Sequence, residues 1–198
     1  MAPTWSDFNH DESKTAVRNA FERLALDIYV MPAPAINHLR FVAVRQDDAL
    51  AEPLLAELAV EYATRYGTTE ERVGAWLRGY PAEEFAPPRG GMLIGVLDGR
   101  PVTGGAFRRF EVADGVETAE LKRIWTGGGH RRRGFGRALL TELENTIAAA
   151  GYRRVYLTTG DRQPEAEALY LATGYRRLAE PLPAEGEVYP MAFSKDLQ

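Results

Sequence analysis

The 198-residue sequence contains no cysteine, which excludes disulfides and thiolate metal ligands. Its three histidines, His10, His38 and His130, lie far apart, so carboxylates are the only ligand class left, and no metal is assigned. No apolar run reaches membrane-spanning length, and the N-terminus is polar rather than signal-like. A cytoplasmic protein with no membrane partner is the expectation. The net charge of −4 leaves no basic excess to draw the molecule to nucleic acid. What remains is the composition of an ordinary globular domain, 45% hydrophobic and 26% charged.

One stretch departs from that balance. Glu120 to Leu140 reads as a strand, a run of three glycines (Gly127 to Gly129), an arginine cluster (Arg131, Arg132, Arg133) and a helix start at Gly134. A helix opening on glycines presents unpaired backbone N–H groups, which form an anion site. Arginines beside them add charge for a phosphate-bearing ligand.

The surrounding pattern predicts the elements. Residues 1–38 form a leader in which Val17, Ala20, Phe21, Leu24 and Ile28 trace a helical stripe. That helix either packs on the domain or a second subunit, or Met31 is the natural start. A strand is predicted at Leu39–Arg45, then a helix from Asp47-Asp48 to Gly67. Thr68-x-x-Glu71 reads as the capping box of a second helix. Pro81–Gly91 is a loop. Three strands follow, at Gly91–Leu97, Val102–Val112 and Val116–Thr126, joined by Asp98-Gly99 and Asp114-Gly115 turns. Gly104-Gly105 suggests a bulge or close packing. After the helix from Gly134 come a buried strand at Val155–Thr159, a helix opened by Pro164, and strands at Tyr175–Leu178 and Val188–Lys195. The order β-α-α-β-β-β-α-β-α-β-β implies a mixed α/β (α+β) fold, with a largely antiparallel sheet flanked by helices. The domain spans residues 39–198, and the arginine loop falls at the carboxyl end of a strand.

Three phosphate loops can be set aside. A Walker loop needs Gly-Lys-Ser/Thr, which is missing. A dinucleotide fingerprint needs a third glycine where Leu139 stands. An RNA-binding arginine motif needs exposed aromatics, and the helix pattern claims Phe135 for the core.

Arg131-x-x-Gly134-x-Gly136, between a strand and an amphipathic helix, resembles the acetyl-CoA pyrophosphate loop of the GCN5-related N-acetyltransferase (GNAT) family. Tyr156 to Ala166, followed by Ala168-Leu169-Tyr170 and Gly174-Tyr175, is similar to that family's second cofactor strand and the helix beyond it. The resemblance covers roughly residues 39 to 195. It implies an acetyl-CoA-dependent N-acetyltransferase with acetyl-CoA (coenzyme A) as co-substrate. It implies that Arg131, Arg132, Arg133, Gly134, Phe135, Gly136 and Arg137 hold the phosphates, and that the backbone of Ile124, Trp125 and Thr126 pairs with the pantetheine arm. Gln163 stands where the family usually has an asparagine that touches that arm. Gly127-Gly128-Gly129 stands where it often has a proline.

Catalytic roles follow from the same resemblance. Tyr170 holds the place of a tyrosine that protonates the departing thiolate; the plainer alternative is a core tyrosine. Glu120 resembles glutamates that take the amine's proton through water; the alternative is an ion pair with Lys122 or Arg123. Glu84, with Glu83 beside it, could face the acceptor or be a solvated loop charge. His130 is expected at the surface. The carboxylates suit a cationic acceptor. A small-molecule amine is the first choice, a protein lysine or N-terminus the second. A non-catalytic acyl-CoA-binding module is a reading of another class, and a monomer or homodimer is expected.

Overall fold

In a computed structural model, residues 38–183 and 189–198 are described. The helix expected between Asp11 and Tyr29, and most of the loop from Pro181 to Glu187, lie outside them. The elements are β1 (Arg40–Ala43), α1 (Glu52–Tyr66), α2 (Glu70–Arg78), β2 (Gly91–Leu97), β3 (Arg100–Phe110), β4 (Thr118–Thr126), α3 (Phe135–Ala149), β5 (Arg154–Thr159), α4 (Pro164–Ala172), β6 (Arg176–Arg177) and β7 (Met191–Asp196). They follow the expected order. The sheet runs β1-β2-β3-β4-β5-β7-β6 and is antiparallel except where β4 meets β5.

Local chemistry sets the boundaries. Asp48 caps a short 3-10 turn, Ala49–Ala51, that leads into α1, and Gly67 closes that helix at φ 67°. The cap of α2 is Thr69, not Thr68: its hydroxyl accepts from the Arg72 N–H, the reach a cap makes to its third helical residue. The expected loop before β2 contains a further 3-10 turn, Ala82–Phe85. Asp98 and Gly99 both take positive φ, at 49° and 79°, as a tight hairpin turn requires. Among the described residues no helix is long and apolar enough to cross a membrane.

Alternation along the strands divides the core between two faces. Leu93, Phe107 and Leu121 pack with Leu139, Leu143 and Ile147 of α3. Met92, Ile94 and Ala106 pack with Leu54, Leu58 and Leu77 of α1 and α2. Strict alternation would place Leu121 and Trp125 on one face, yet Leu121 joins the α3 side and Trp125 the α1–α2 side. A bulge explains this. Between Ala106↔Lys122 and Gly104↔Trp125, β4 carries one extra residue, and Arg123 adopts φ 59°. Gly105 permits it, because a Cβ there would stand 2.6 Å from Ile124 Cδ1.

Candidate active site

β4 and β5 pair only from Thr118–Glu120 to Arg154–Tyr156. Beyond that point the strands part, and β4 has no strand partner on that edge from Leu121 to Thr126. An unpaired strand edge is a template for an extended ligand. The gap opens into a cavity of about 860 Å³ bounded by α1, α2, β4, β5 and α4.

At one end lies the arginine loop. Arg132 takes φ 61° and Gly134 φ 85°, so the backbone turns sharply twice just before α3 begins. None of the backbone N–H groups from Arg131 to Arg137 donates to an acceptor among the described residues. These are the N–H groups at which the sequence predicts an anion site. The arginine side chains divide. Arg132 and Arg137 line the cavity and make no ion pair among the described residues. Arg131 also lines it, but its guanidinium donates to Glu61 and, through Nε, to Thr126 O at 3.1 Å. Arg133 is not part of the wall; its guanidinium lies 5.6 Å over the Phe135 ring. Phe135 is a core residue packed with Leu97 and Val102.

Gly128 and Gly129 form a short 3-10 turn with His130, and Gly127 is its N-cap. Gly127 N–H donates to Val102 O at 3.0 Å and Gly128 N–H to Glu57 Oε2 at 3.3 Å. The same Glu57 oxygen accepts from Trp125 Nε1 at 3.0 Å. Glu57 therefore fastens the strand end to α1, a role the sequence did not suggest. No atom lies within 4 Å of where a Cβ would stand at Gly128 or Gly129, and neither takes a positive φ. Alanine at both positions is expected to raise stability by about 0.4–1 kcal/mol each, by reducing unfolded-chain entropy. Thermal melts of Gly128→Ala and Gly129→Ala check this.

Midway along the cavity stands Tyr170. It is buried, packs edge-on to Tyr175, and makes no side-chain hydrogen bond among the described residues. Burial alone raises its pKa well above the usual tyrosine range, so its hydroxyl is protonated and uncommitted. Tyr62, across the cavity on α1, is raised the same way, chiefly by burial and then by Tyr170. Gln163 lines the cavity, but its amide donates to Tyr66 Oη at 3.2 Å. His130, expected at the surface, contributes to the wall.

These buried tyrosines make a pH prediction. Tyr62, Tyr170 and Tyr175 all have folded-state pKa values raised above the ordinary value near 10. The folded state keeps protons that the unfolded chain releases. The stability they contribute is complete below pH 10 and falls above it, by about 1.4 kcal/mol per pH unit for each group. Melting temperatures recorded from pH 8 to 11 are expected to drop steeply only beyond pH 10.

The other end is built on the α1–α2 face. Glu120 is 3% exposed and both of its oxygens are engaged: Oε2 by Arg108 Nε at 2.9 Å, Oε1 by Lys122 Nζ at 2.7 Å. Arg108, directly across the sheet, also pairs with Glu84 and lies 5.2 Å over the Tyr80 ring. Burial opposes the Arg108 charge, but Glu84 and Glu120 outweigh it and raise its pKa. Glu83 instead lies near Arg45, away from this network. The ion pair expected for Glu120 is present with Lys122, but its second cation is Arg108 and not Arg123. Arg123 turns instead to Gln46 Oε1 and Leu77 O. Tyr62, Trp76, Tyr80 and Phe85 complete the wall. Among the described residues no three His, Asp or Glu side chains converge as a metal-binding group.

The splayed strands, the free N–H groups and the intervening cavity agree with an independent comparison. Residues 54–175 match the model of the Acetyltransferase (GNAT) family. The chain belongs to the GNAT family. Solved GNAT structures share its fold at low identity. The GNAT acetyltransferase from Staphylococcus aureus Mu50 superposes with a TM-score of 0.64 at 15% identity, over 81% of this chain and 99% of that one. The PaiA N-acetyltransferase from Thermoplasma acidophilum, solved in complex with coenzyme A, gives 0.59 at 15% identity, over 80% and 99%. A GNAT acetyltransferase from Elizabethkingia anophelis, with acetyl-CoA bound, gives 0.53 at 15% identity, over 81% and 99%. No curated protein matches the chain. This GNAT chain is an acyltransferase by family, and the seven-stranded sheet is the family's fold.

Proposed function

We propose that the protein is an acetyl-CoA-dependent N-acetyltransferase acting on the amine of a small molecule, in a cytoplasmic setting, with residues 39–198 as its catalytic domain. The observation that carries this reading is the placement of a protonated, uncommitted Tyr170 hydroxyl in one cavity with the unpaired edge of β4 and the free N–H groups of the arginine loop.

When bound, acetyl-CoA supplies an activated acetyl thioester. The N–H groups of residues 131–137, with the Arg132 and Arg137 guanidinium groups, hold its phosphates. The β4 edge at Ile124, Trp125 and Thr126 aligns the pantetheine arm, and an N–H there stabilises charge developing on the carbonyl oxygen. The amine nitrogen forms the new C–N bond as the C–S bond breaks. Tyr170 gives its proton to the sulfur, and the amine's proton leaves through water.

Glu120 has a different assignment from the one its position suggests. Each of its oxygens already accepts from a cation, Oε2 from Arg108 and Oε1 from Lys122, so neither is free to receive the amine's proton. It is a positioning residue that holds Arg108 and Lys122 against the sheet. Glu120→Gln is expected to lower stability by about 1–3 kcal/mol, as leaving part-buried donors without their charged acceptor does. The acidic limb of the rate–pH profile is expected to stay in place. A general base would move that limb and cost at least about 100-fold in kcat. Glu84 keeps the end of the cavity in shape through Arg108.

The functional test is thiol release from acetyl-CoA over a panel of small amines and of peptides bearing lysine or a free N-terminus. The small amines should be turned over with the higher kcat/KM. Faster turnover of the peptides would reassign the acceptor class.

A further inference from the structure

We infer that the acceptor amine carries a carboxylate, and that Arg123 at the β4 bulge is the residue that selects it. This rests on the acetyltransferase reading above and names the substrate class of the same site.

The charge inventory of the cavity's acceptor end is the starting point. Its carboxylates, Glu84 and Glu120, are both consumed by Arg108 and Lys122. The idea that these carboxylates receive a cationic acceptor therefore fails on geometry, since each already has a cation. Among the described residues one cation remains. Arg123 is 8% exposed and lines the cavity, yet no described carboxylate pairs with it. Its hydrogen bonds go to neutral acceptors, Gln46 Oε1 and Leu77 O. Its other N–H donors, Nε–H included, meet no acceptor among the described residues.

A buried charge without a counter-ion is costly. Three features offset part of that cost. Leu77 O belongs to the C-terminal turn of α2, where the helix dipole favours a cation. The guanidinium lies 4.4 Å over the Phe85 ring and 5.8 Å over the Tyr80 ring. Gln46 is itself fixed, donating through Nε2 to Tyr80 O at 3.1 Å. None of these supplies negative charge, and desolvation pulls the Arg123 pKa down to about 10. The fold also strains the backbone to put this side chain here, since φ of 59° is unfavourable for a residue with a Cβ.

The surplus is one positive charge, which matches one carboxylate. A planar guanidinium with open N–H donors is the natural receptor for that group. The neighbouring rings of Trp76 (45% exposed), Tyr80 and Phe85 offer apolar surface for the rest of the molecule. The acceptor class is therefore an amino acid or a close analogue, with amine and carboxylate on one small frame.

The test uses the full-length protein and acetyl-CoA. A set of amino acids of varied side chain is offered in three forms each: free acid, carboxamide and decarboxylated amine. Thiol release is followed at several pH values, so that differences in amine ionisation are accounted for. The free acids are expected to show kcat/KM at least about 10-fold above both other forms, mostly through KM, as loss of a charged hydrogen-bond partner implies. Arg123→Gln should abolish that preference, and Arg123→Lys should restore part of it. Coenzyme A binding by each variant reports whether it is folded, and the wild-type comparison stands even if Arg123→Gln is not. If amides or decarboxylated amines are accepted as well as the acids, the carboxylate inference is wrong while acetyl transfer stands. If folded Arg123→Gln keeps the preference, Arg123 is not the selector. If no amine in any form yields thiol above the hydrolysis blank, both readings fall.

Discussion

Replacing Tyr170 with phenylalanine is expected to lower kcat by roughly 100-fold or more while leaving coenzyme A affinity nearly unchanged. The size follows from the usual contribution of a positioned general acid. The split between kcat and affinity follows from geometry. The Tyr170 ring is buried against Tyr175 and Phe193, and phenylalanine keeps those contacts. The hydroxyl makes no hydrogen bond among the described residues, so its removal orphans none of their polar groups. A core tyrosine would behave differently, because its loss would appear in the melting temperature and not in the rate. The pH profile adds a second check. Burial holds the hydroxyl protonated well above the ordinary tyrosine range, so the wild-type rate should show no basic limb from this group below pH 10. Single-turnover thiol release and calorimetric coenzyme A titration separate these outcomes.

The second large effect belongs to the phosphate end. Removing both Arg132 and Arg137 as alanines is expected to weaken coenzyme A binding by about 100-fold or more, since each charged hydrogen bond contributes about 1.5–3 kcal/mol. Neither side chain makes an ion pair among the described residues, so the melting temperature of the free protein should barely move. The loss should shrink as salt rises, because screening already weakens exposed charges. Arg131 and Arg133 provide internal contrasts. Arg131 is engaged by Glu61 and Thr126 O, so its alanine variant should disturb the loop itself. Arg133 faces Phe135 rather than the cavity, and its alanine variant should leave affinity almost intact. Titrations of the four single variants and the double variant at two salt concentrations would show this ranking.

Much of the frame was legible because it depends on local signals. Glycines, prolines and alternation marked the turns and strands, and the order of elements followed. The open N–H groups before α3 were legible too, since the first turn of any helix leaves its N–H groups without partners inside the helix. The Lys122–Glu120 half of the ion-pair network is legible in the sequence, and the Arg108 half follows from strand register. Pairing Val112 with Val116 across the Asp114-Gly115 turn fixes the register that sets Arg108 opposite Glu120, and the structure has that register although its strands end sooner. The bulge at Arg123 was not legible. Gly104-Gly105 hinted at a bulge on β3, whereas the extra residue sits on β4, where no glycine marks it. Its consequences, Trp125 crossing to the α1–α2 face and Arg123 turning to Gln46, depend on contacts 46 and 77 residues apart. The same distance hid Glu57, whose carboxylate pins Trp125 and Gly128 from α1. The family resemblance implies a phosphate role for Arg133, whereas its guanidinium lies over the Phe135 ring, a contact that adjacency to Arg132 does not reveal.

The central claim is amine-dependent acetyl transfer in the cavity between β4 and β5. Its most direct test is continuous measurement of free thiol with purified protein, acetyl-CoA and the amine panel, alongside mass detection of the acetylated amine. The expected result is thiol release that requires an amine, is matched by an equal amount of N-acetylated product, and falls roughly 100-fold in Tyr170→Phe. Protein that binds coenzyme A yet releases no thiol above the hydrolysis blank with any amine or peptide would contradict it, and would make this chain a coenzyme A-binding module rather than an enzyme.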